Sequence, residues 1–204
     1  MKKLLLVVVI ALVSLTINAQ DKKESKGLQG VWWATGQLST SSSKDGVGNK
    51  TVNTTFLPIV GVFITPDVSI GLGIGNIATK YTPVTGNSTS GNTFVIEPLV
   101  RKYWNVKGGL FFFGQVALPV MMGKDAANTK TNSVALDLSP GFDYVVNKWF
   151  TVETSFSIAN IGTTSTTPDG GSKSSTFGLD VNPFDMNPGS RTLGGLRVGV
   201  KFLF

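Results

Sequence analysis

The chain has 204 residues, a formal net charge of +6, 15% charged residues, 24 Gly, and neither Cys nor His. That length makes one domain, or at most two small ones. The lack of Cys excludes disulfides, thiolate metal sites, Cys nucleophiles and lipid attachment through Cys, and the lack of His removes the commonest general base and zinc ligand.

Met1-Lys2-Lys3 opens the chain, and the fourteen residues from Leu4 to Ile17 are interrupted by polarity only at Ser14 and Thr16. Asn18-Ala19-Gln20 and the polar run Asp21-Lys22-Lys23-Glu24 follow. A charged start, a short apolar run and a small residue before a polar segment read as a secretory signal peptide over 1–19, cleaved near Ala19. The apolar run is shorter than the roughly 20 residues that a spanning helix needs. The expected organisation is therefore a cleaved leader, 1–19, and one domain, 20–204. Without Lys2 and Lys3, 16 Lys+Arg face 12 Asp+Glu, a scattered excess of +4 that gives no support to a nucleic-acid partner.

Beyond the leader, apolar and polar residues alternate with a period of two, rich in Val, Ile, Phe and Thr, which predicts strands. The first is expected over 28–40, with Trp32 and Trp33, before a polar loop at 41–50. The second, 51–64, turns through Thr65-Pro66-Asp67 into the third, 68–82. There Val68, Ile70, Leu72 and Ile74 oppose Ser69, Gly71, Gly73 and Gly75. After a loop at 83–91, strand four, 92–104, turns at 105–107 into strand five, 108–124. After a loop at 125–131, strand six, 132–146, turns at 147–149 into strand seven, 150–163. Val152, Phe156 and Ile158 oppose Thr151, Glu153, Ser155 and Ser157 in it. The longest loop, 164–190, leads to strand eight, 191–204, where Leu196, Val198, Val200, Phe202 and Phe204 share a face.

Short turns alternating with long loops, on strands of at least the 9–11 residues a tilted membrane strand needs, are the pattern of a membrane barrel. The register agrees, because directly opposed residues of a hairpin must share a face. The turn at 65–67 opposes Ile64 with Val68, Val62 with Ile70, and Val60 with Leu72. The turn at 147–149 opposes Tyr144 with Val152 and Phe142 with Thr154; the turn at 105–107 opposes Arg101 with Phe111 and Glu97 with Gln115. Pro58, Pro98, Pro119 and Pro140 lack a ladder donor, so bulges or missing bonds are expected there, above all at Pro98. With so few charges the chain cannot cover a soluble surface. Its aromatics gather beside the short turns, at Trp32, Trp33, Tyr103, Trp104, Tyr144, Trp149, Phe150, Phe202 and Phe204, as an interfacial girdle. Tyr81, Phe94 and Phe56 make a thinner one opposite. The fold expected is all-β: an eight-stranded antiparallel up-and-down transmembrane β-barrel with short periplasmic turns and long extracellular loops.

With its export signal, its turn and loop asymmetry and its terminal aromatic, the chain resembles the small outer-membrane barrels of Gram-negative bacteria, of the OmpX type and the OmpA transmembrane domain. The resemblance covers the whole chain after the leader and rests on pattern. It implies that Val198, Val200, Phe202 and Phe204 form the signal read by the barrel-assembly machinery, and that outer-membrane lipid surrounds the domain. Enzymes on such barrels rely, as the resemblance implies, on His, which this chain lacks. A Ser without an adjacent base is a poor nucleophile, so no catalytic role and no cofactor or metal are expected.

The expected inner face carries Glu97, Arg101, Asp137, Asp143, Glu153, Arg197 and Lys201. Asp143 opposite Glu153 would repel, and a luminal salt-bridge network with Arg197 and Lys201 resolves the conflict. Eight strands leave room only for packed side chains, so lumen filling outweighs an ion path or paired-carboxylate catalysis. Gly71, Gly73 and Gly75 make a G-x-G-x-G run inside a strand, with no helix after it, so they provide room for luminal rings such as Phe111 and Phe113 rather than hold a phosphate. The apolar residues of 164–190, Phe177, Leu179, Val181, Phe184 and Met186, leave three readings open: strand extensions, a cover over the barrel mouth, or a dock for an extracellular partner. The function read is that of a structural or surface-interaction barrel with a packed lumen. The alternatives are a small-pore or hydrophobic-solute transporter using Phe111-Phe112-Phe113, and a soluble periplasmic ligand-binding barrel.

Overall fold

The computed structural model describes residues 27–125, 128–181 and 197–204; the leader and residues 191–196 of the expected last strand lie outside them. Eleven strands follow in chain order: β1 (Trp32–Lys44), β2 (Lys50–Phe63), β3 (Val68–Thr82), β4 (Thr89–Lys107), β5 (Leu110–Ala117), β6 (Val120–Lys124), β7 (Lys130–Asn147), β8 (Phe150–Ser155), β9 (Ala159–Thr167), β10 (Ser174–Asp180) and β11 (Arg197–Leu203). Every pairing is antiparallel. β5 and β6 share one stave, β8 and β9 another, and β10 and β11 both lie beyond the β8–β9 stave from β7. The sheet closes where Trp33 and Ala34 of β1 meet Leu203 and Phe202 of β11. Reciprocal bonds join Trp32 and Phe204 there, at 3.1 and 2.8 Å. This is the eight-stranded antiparallel barrel that the sequence predicts.

The polarity of its two faces is inverted, with large apolar side chains outside and polar and charged ones inside. Even-numbered residues of β1 to β8 point outward, including the exposed Phe56, Ile74, Phe94, Val116, Met122, Leu136 and Val152, while odd-numbered ones line the lumen. The alternation corrects two members of the expected girdle. Trp33 and Tyr103 are only 1% and 4% exposed, because their neighbours Trp32 and Trp104 take the outward positions and consecutive strand residues cannot share a face. Trp32, Trp104, Tyr144 and Trp149 are exposed at the turn end, and Trp149 stacks on Phe202 at 6.1 Å.

The hairpins at 64–67 and 147–149 have the expected pairs, Val62 with Ile70 and Tyr144 with Val152. The one at 105–107 does not. Its turn is Gly108-Gly109, with Gly108 at φ +56°, a left-handed conformation that glycine adopts without strain. A bulge between Asn105 and Lys107 completes it, so Arg101 faces Gln115 instead of Phe111, and Glu97 does not face Gln115.

The strands also run further toward the loop end than the sequence suggests. β1 and β2 continue to Lys44 and Lys50, and β9 and β10 form a hairpin through most of the expected loop at 164–190. Ser and Thr, which read as loop, are accommodated on a strand whose backbone bonds are paired. Phe177 and Leu179 share the outward face of this hairpin, which favours strand extension; Phe184 and Met186 lie outside the described residues.

The prolines act unequally. Pro98 stays in the β3–β4 ladder opposite Leu72, and the break falls instead at Leu118-Pro119, between β5 and β6. Pro98, Pro119 and Pro140 each accept from the next stave, from the amides of Leu118, Ala135 and Phe156 at 2.9 to 3.1 Å. Pairing also lapses beside Pro58, between Phe56 and Ile59. The expected strand at 150–163 is interrupted at 156–158, where the register against β7 moves by one residue. A one-residue shift turns the faces over, so Ile161 and Thr163 point outward after Val152 did.

Candidate functional site

The inward residues near the turn end form a plug. Arg101 projects from β4, and its Nη1 stands 2.7 Å from Glu153 Oε2 on β8, across the lumen. Its Nε donates to Gln115 Oε1 at 2.6 Å. The guanidinium lies between the rings of Trp33 and Phe113, 4.9 Å from each centroid. Lys201 of β11 pairs with Asp143, stands 4.0 Å from Glu153 Oε2 and donates to the Tyr103 hydroxyl at 3.2 Å. Thr35 Oγ1 lies 3.4 Å from Glu153 Oε1 and 2.9 Å from the Val200 carbonyl.

The local sequence explains the arrangement. The tight turn at 148–149, capped by Asn147 Oδ1 on the amides of Trp149 and Phe150 at 3.0 Å, sets the register that places Asp143 beside Glu153. Two carboxylates so placed need counter-charges. Arg101 and Lys201 supply two, so this tier is neutral as a unit. Charge-assisted bonds and ring faces compensate each buried cation.

Glycines make the plug possible. A Cβ on Gly61 or Gly71 would overlap the Trp33 indole, and one on Gly141 the Phe113 ring. Gly73 and Gly75 border Leu57 instead, so the room along β3 serves Trp33 and Leu57 rather than Phe111 and Phe113. Phe63, Tyr103 and Phe113 extend the stack, with ring centroids 5.2 and 5.6 Å apart. The Phe tract does not form a continuous path: Phe113 is in the core, Phe111 packs against it, and Phe112 sits outside against Trp104 and Phe142.

Farther toward the loop end, Asp137 accepts from the hydroxyls of Ser139 and Ser157. Ser157 is the inward residue of the irregular 156–158 segment. Glu97 is buried beside a small cavity lined with Leu57, Thr55 and Met121; Arg197, Asp137 and Arg101 lie within its electrostatic reach. The structure thus joins Arg101, Asp143, Glu153 and Lys201 directly and sets Glu97, Asp137 and Arg197 apart as a second tier. Trp33, Tyr103, Gln115 and Thr35 belong to the plug as well. Their odd numbers, shared with the charged residues, are the signal that identifies them. Val198, Val200 and Phe202 face outward on β11. Among the described residues no group of acidic side chains could hold a metal ion.

The chain is similar to the crystal structure of the outer membrane protein OprG from Pseudomonas aeruginosa, with 15% identity, 88% of this chain and 98% of that chain covered, and a TM-score of 0.49. No protein-family model and no curated protein matches it.

Proposed function

We propose that the chain is an integral outer-membrane β-barrel protein of structural or surface-interaction type, with a sealed lumen, its tight turns toward the periplasm and its longer hairpins outside. The observation that carries this reading is the inverted polarity of the barrel: an apolar belt outside and a compensated ion cluster inside. In water such a belt would be an aggregation surface; in lipid it is the favoured face, because only a closed barrel satisfies every strand's backbone. From Trp104 to Phe94 along β4 is ten residues. At roughly 3.3 Å per residue and a tilt near 40° this is about 25 Å, the height of such a belt. The leader at 1–19 would export the chain, and Val198, Val200, Phe202 and Phe204 form the strand the assembly machinery would engage.

Outer-membrane fractions run on SDS gels with and without heating test the reading. A closed barrel resists SDS when unheated and changes mobility after boiling. A protein found in the soluble fraction with a single mobility would overturn it in favour of a periplasmic binding barrel.

A further inference from the structure

Two hairpin tips at the loop end share a sequence pattern and, at their described residues, the same bonds. Lys44-Asp45-Gly46-Val47-Gly48-Asn49-Lys50 and Lys124-Asp125-Ala126-Ala127-Asn128-Thr129-Lys130 share the pattern Lys-Asp, four intervening residues, then Lys. In both, the Asp amide donates to the carbonyl four residues on, at 3.1 Å in the first and 3.0 Å in the second. In both, the residue at the fourth tip position after the first Lys, Gly48 or Asn128, has a positive φ and donates back to the Asp carbonyl. The Asp side chain turns into the tip: Asp45 Oδ1 accepts the amides of Val47, Gly48 and Asn49 at 2.9 to 3.0 Å, and Asp125 Oδ1 accepts that of Thr129 at 2.9 Å.

The lysines are left facing each other. Lys44 is directly opposite Lys50, and Lys124 directly opposite Lys130. All four have even numbers, so they stand on the outward face with Lys80. Like charges directly opposed in a sheet destabilise it unless a counter-charge is near. The ion pairs of the barrel join Arg101 to Glu153, Lys102 to Asp67, and Lys201 to Asp143 and Glu153. The two tips join staves one and two and staves five and six, on opposite sides of the barrel.

Their height fixes the environment. Lys44 lies twelve residues along β1 from Trp32, and Lys124 pairs with Asn92, twelve residues along β4 from Trp104. Both are therefore about 30 Å above the turn-end girdle, at the far edge of a hydrocarbon core of that thickness. An open cleft of about 550 Å³ is lined by Lys124 and Lys130 together with Ser90, Asn92, Asn132 and the carboxylate-bearing Asp125. Two ammonium groups with amide and hydroxyl donors suit a phosphate monoester whose acyl chains descend along Phe94, Met122 and Val134.

From these features we infer that the two tips bind the phosphorylated head groups of outer-leaflet lipid, one on each side of the barrel. This rests on the membrane-barrel reading. The test uses the folded protein in zwitterionic detergent and lipid A carrying two, one or no phosphates, with retention measured by native mass spectrometry. Bisphosphorylated lipid should be retained and lost as salt is raised. Lys124→Gln with Lys130→Gln, or Lys44→Gln with Lys50→Gln, should each weaken one of the two sites by about tenfold, so that the doubly loaded species is lost and the singly loaded one stays. Lys148→Gln, at the turn end, should not. Equal retention of the phosphate-free lipid, paired variants that bind like the unaltered protein, or inorganic phosphate that binds as tightly as the lipid would each overturn the inference. Heated and unheated gels of every variant keep the two readings apart: a preserved shift with no phosphate dependence sinks the lipid sites alone, whereas no shift in the unaltered protein sinks both.

Discussion

A guanidinium 4.9 Å from two ring centroids and 2.7 Å from a carboxylate is held by protein on every side. Arg101→Ala removes the cation, leaves Glu153 beside Asp143 with only Lys201 to share, and opens a void between Trp33 and Phe113. Breaking one partner of a buried pair costs about 3 kcal/mol or more, and urea unfolding of the vesicle-embedded barrel should register it. Arg101→Met combined with Glu153→Gln removes both charges and keeps the stem packing. That variant should return to within about 1 kcal/mol of the unaltered protein. If Arg101→Ala unfolds at the same urea concentration as the unaltered protein, the network is not a stabilising element. Glycine positions supply a second contrast. Gly61→Val drives two methyls into the Trp33 indole and should cost about 1–3 kcal/mol. Gly114→Ala places its methyl 3.6 Å from the outward Trp104, ordinary contact, and should be neutral in the same assay.

Hairpins are the element at which the sequence speaks most clearly, and Asp67 shows why a tip can be probed alone. Its carboxyl is held below the ordinary carboxylate range, first by the Lys102 ammonium and then by the Thr65 hydroxyl, against a smaller opposing effect of desolvation. A lowered folded-state value means that the contribution is present at neutral pH and is lost as pH falls through that value. The difference in unfolding midpoint between the unaltered protein and Asp67→Asn should therefore shrink to nothing between about pH 5 and pH 2; a difference that persists at the acid end would assign it to something other than this ion pair. Faces were legible because outward and inward residues differ so strongly in polarity. Even the misplaced turn at 105–107 preserved them, since moving Arg101's partner from Phe111 to Gln115 is an even step. What could not be read was the one-residue slip at 156–158, which an unbroken alternation hides. The length of the loop-end strands was hidden too, because Ser and Thr suit loop and strand alike. Arg101 with Glu153 was also out of reach, for those residues sit on staves that are not neighbours and no strand register relates them.

For the whole molecule, the question is whether anything passes through. Eight staves enclose a lumen about as wide as the side chains that fill it. Here Trp33, Arg101 and Phe113 pack together in the lumen, the guanidinium 4.9 Å from each ring centroid, with Tyr103 and Lys201 beside them. An ion would have to displace a guanidinium that is neutralised and hydrogen-bonded where it stands, and the rings are packed close against the barrel wall at Gly61, Gly71 and Gly141. Purified protein in planar bilayers should therefore carry no steady current, and liposomes containing it should swell in small sugars no faster than empty ones. Trp33→Ala with Arg101→Ala removes two of these three packed groups and should admit ions if the barrel still shows its heat-dependent mobility. Steady conductance through the unaltered barrel would mean that the plug moves, and the transport reading would then replace the sealed one.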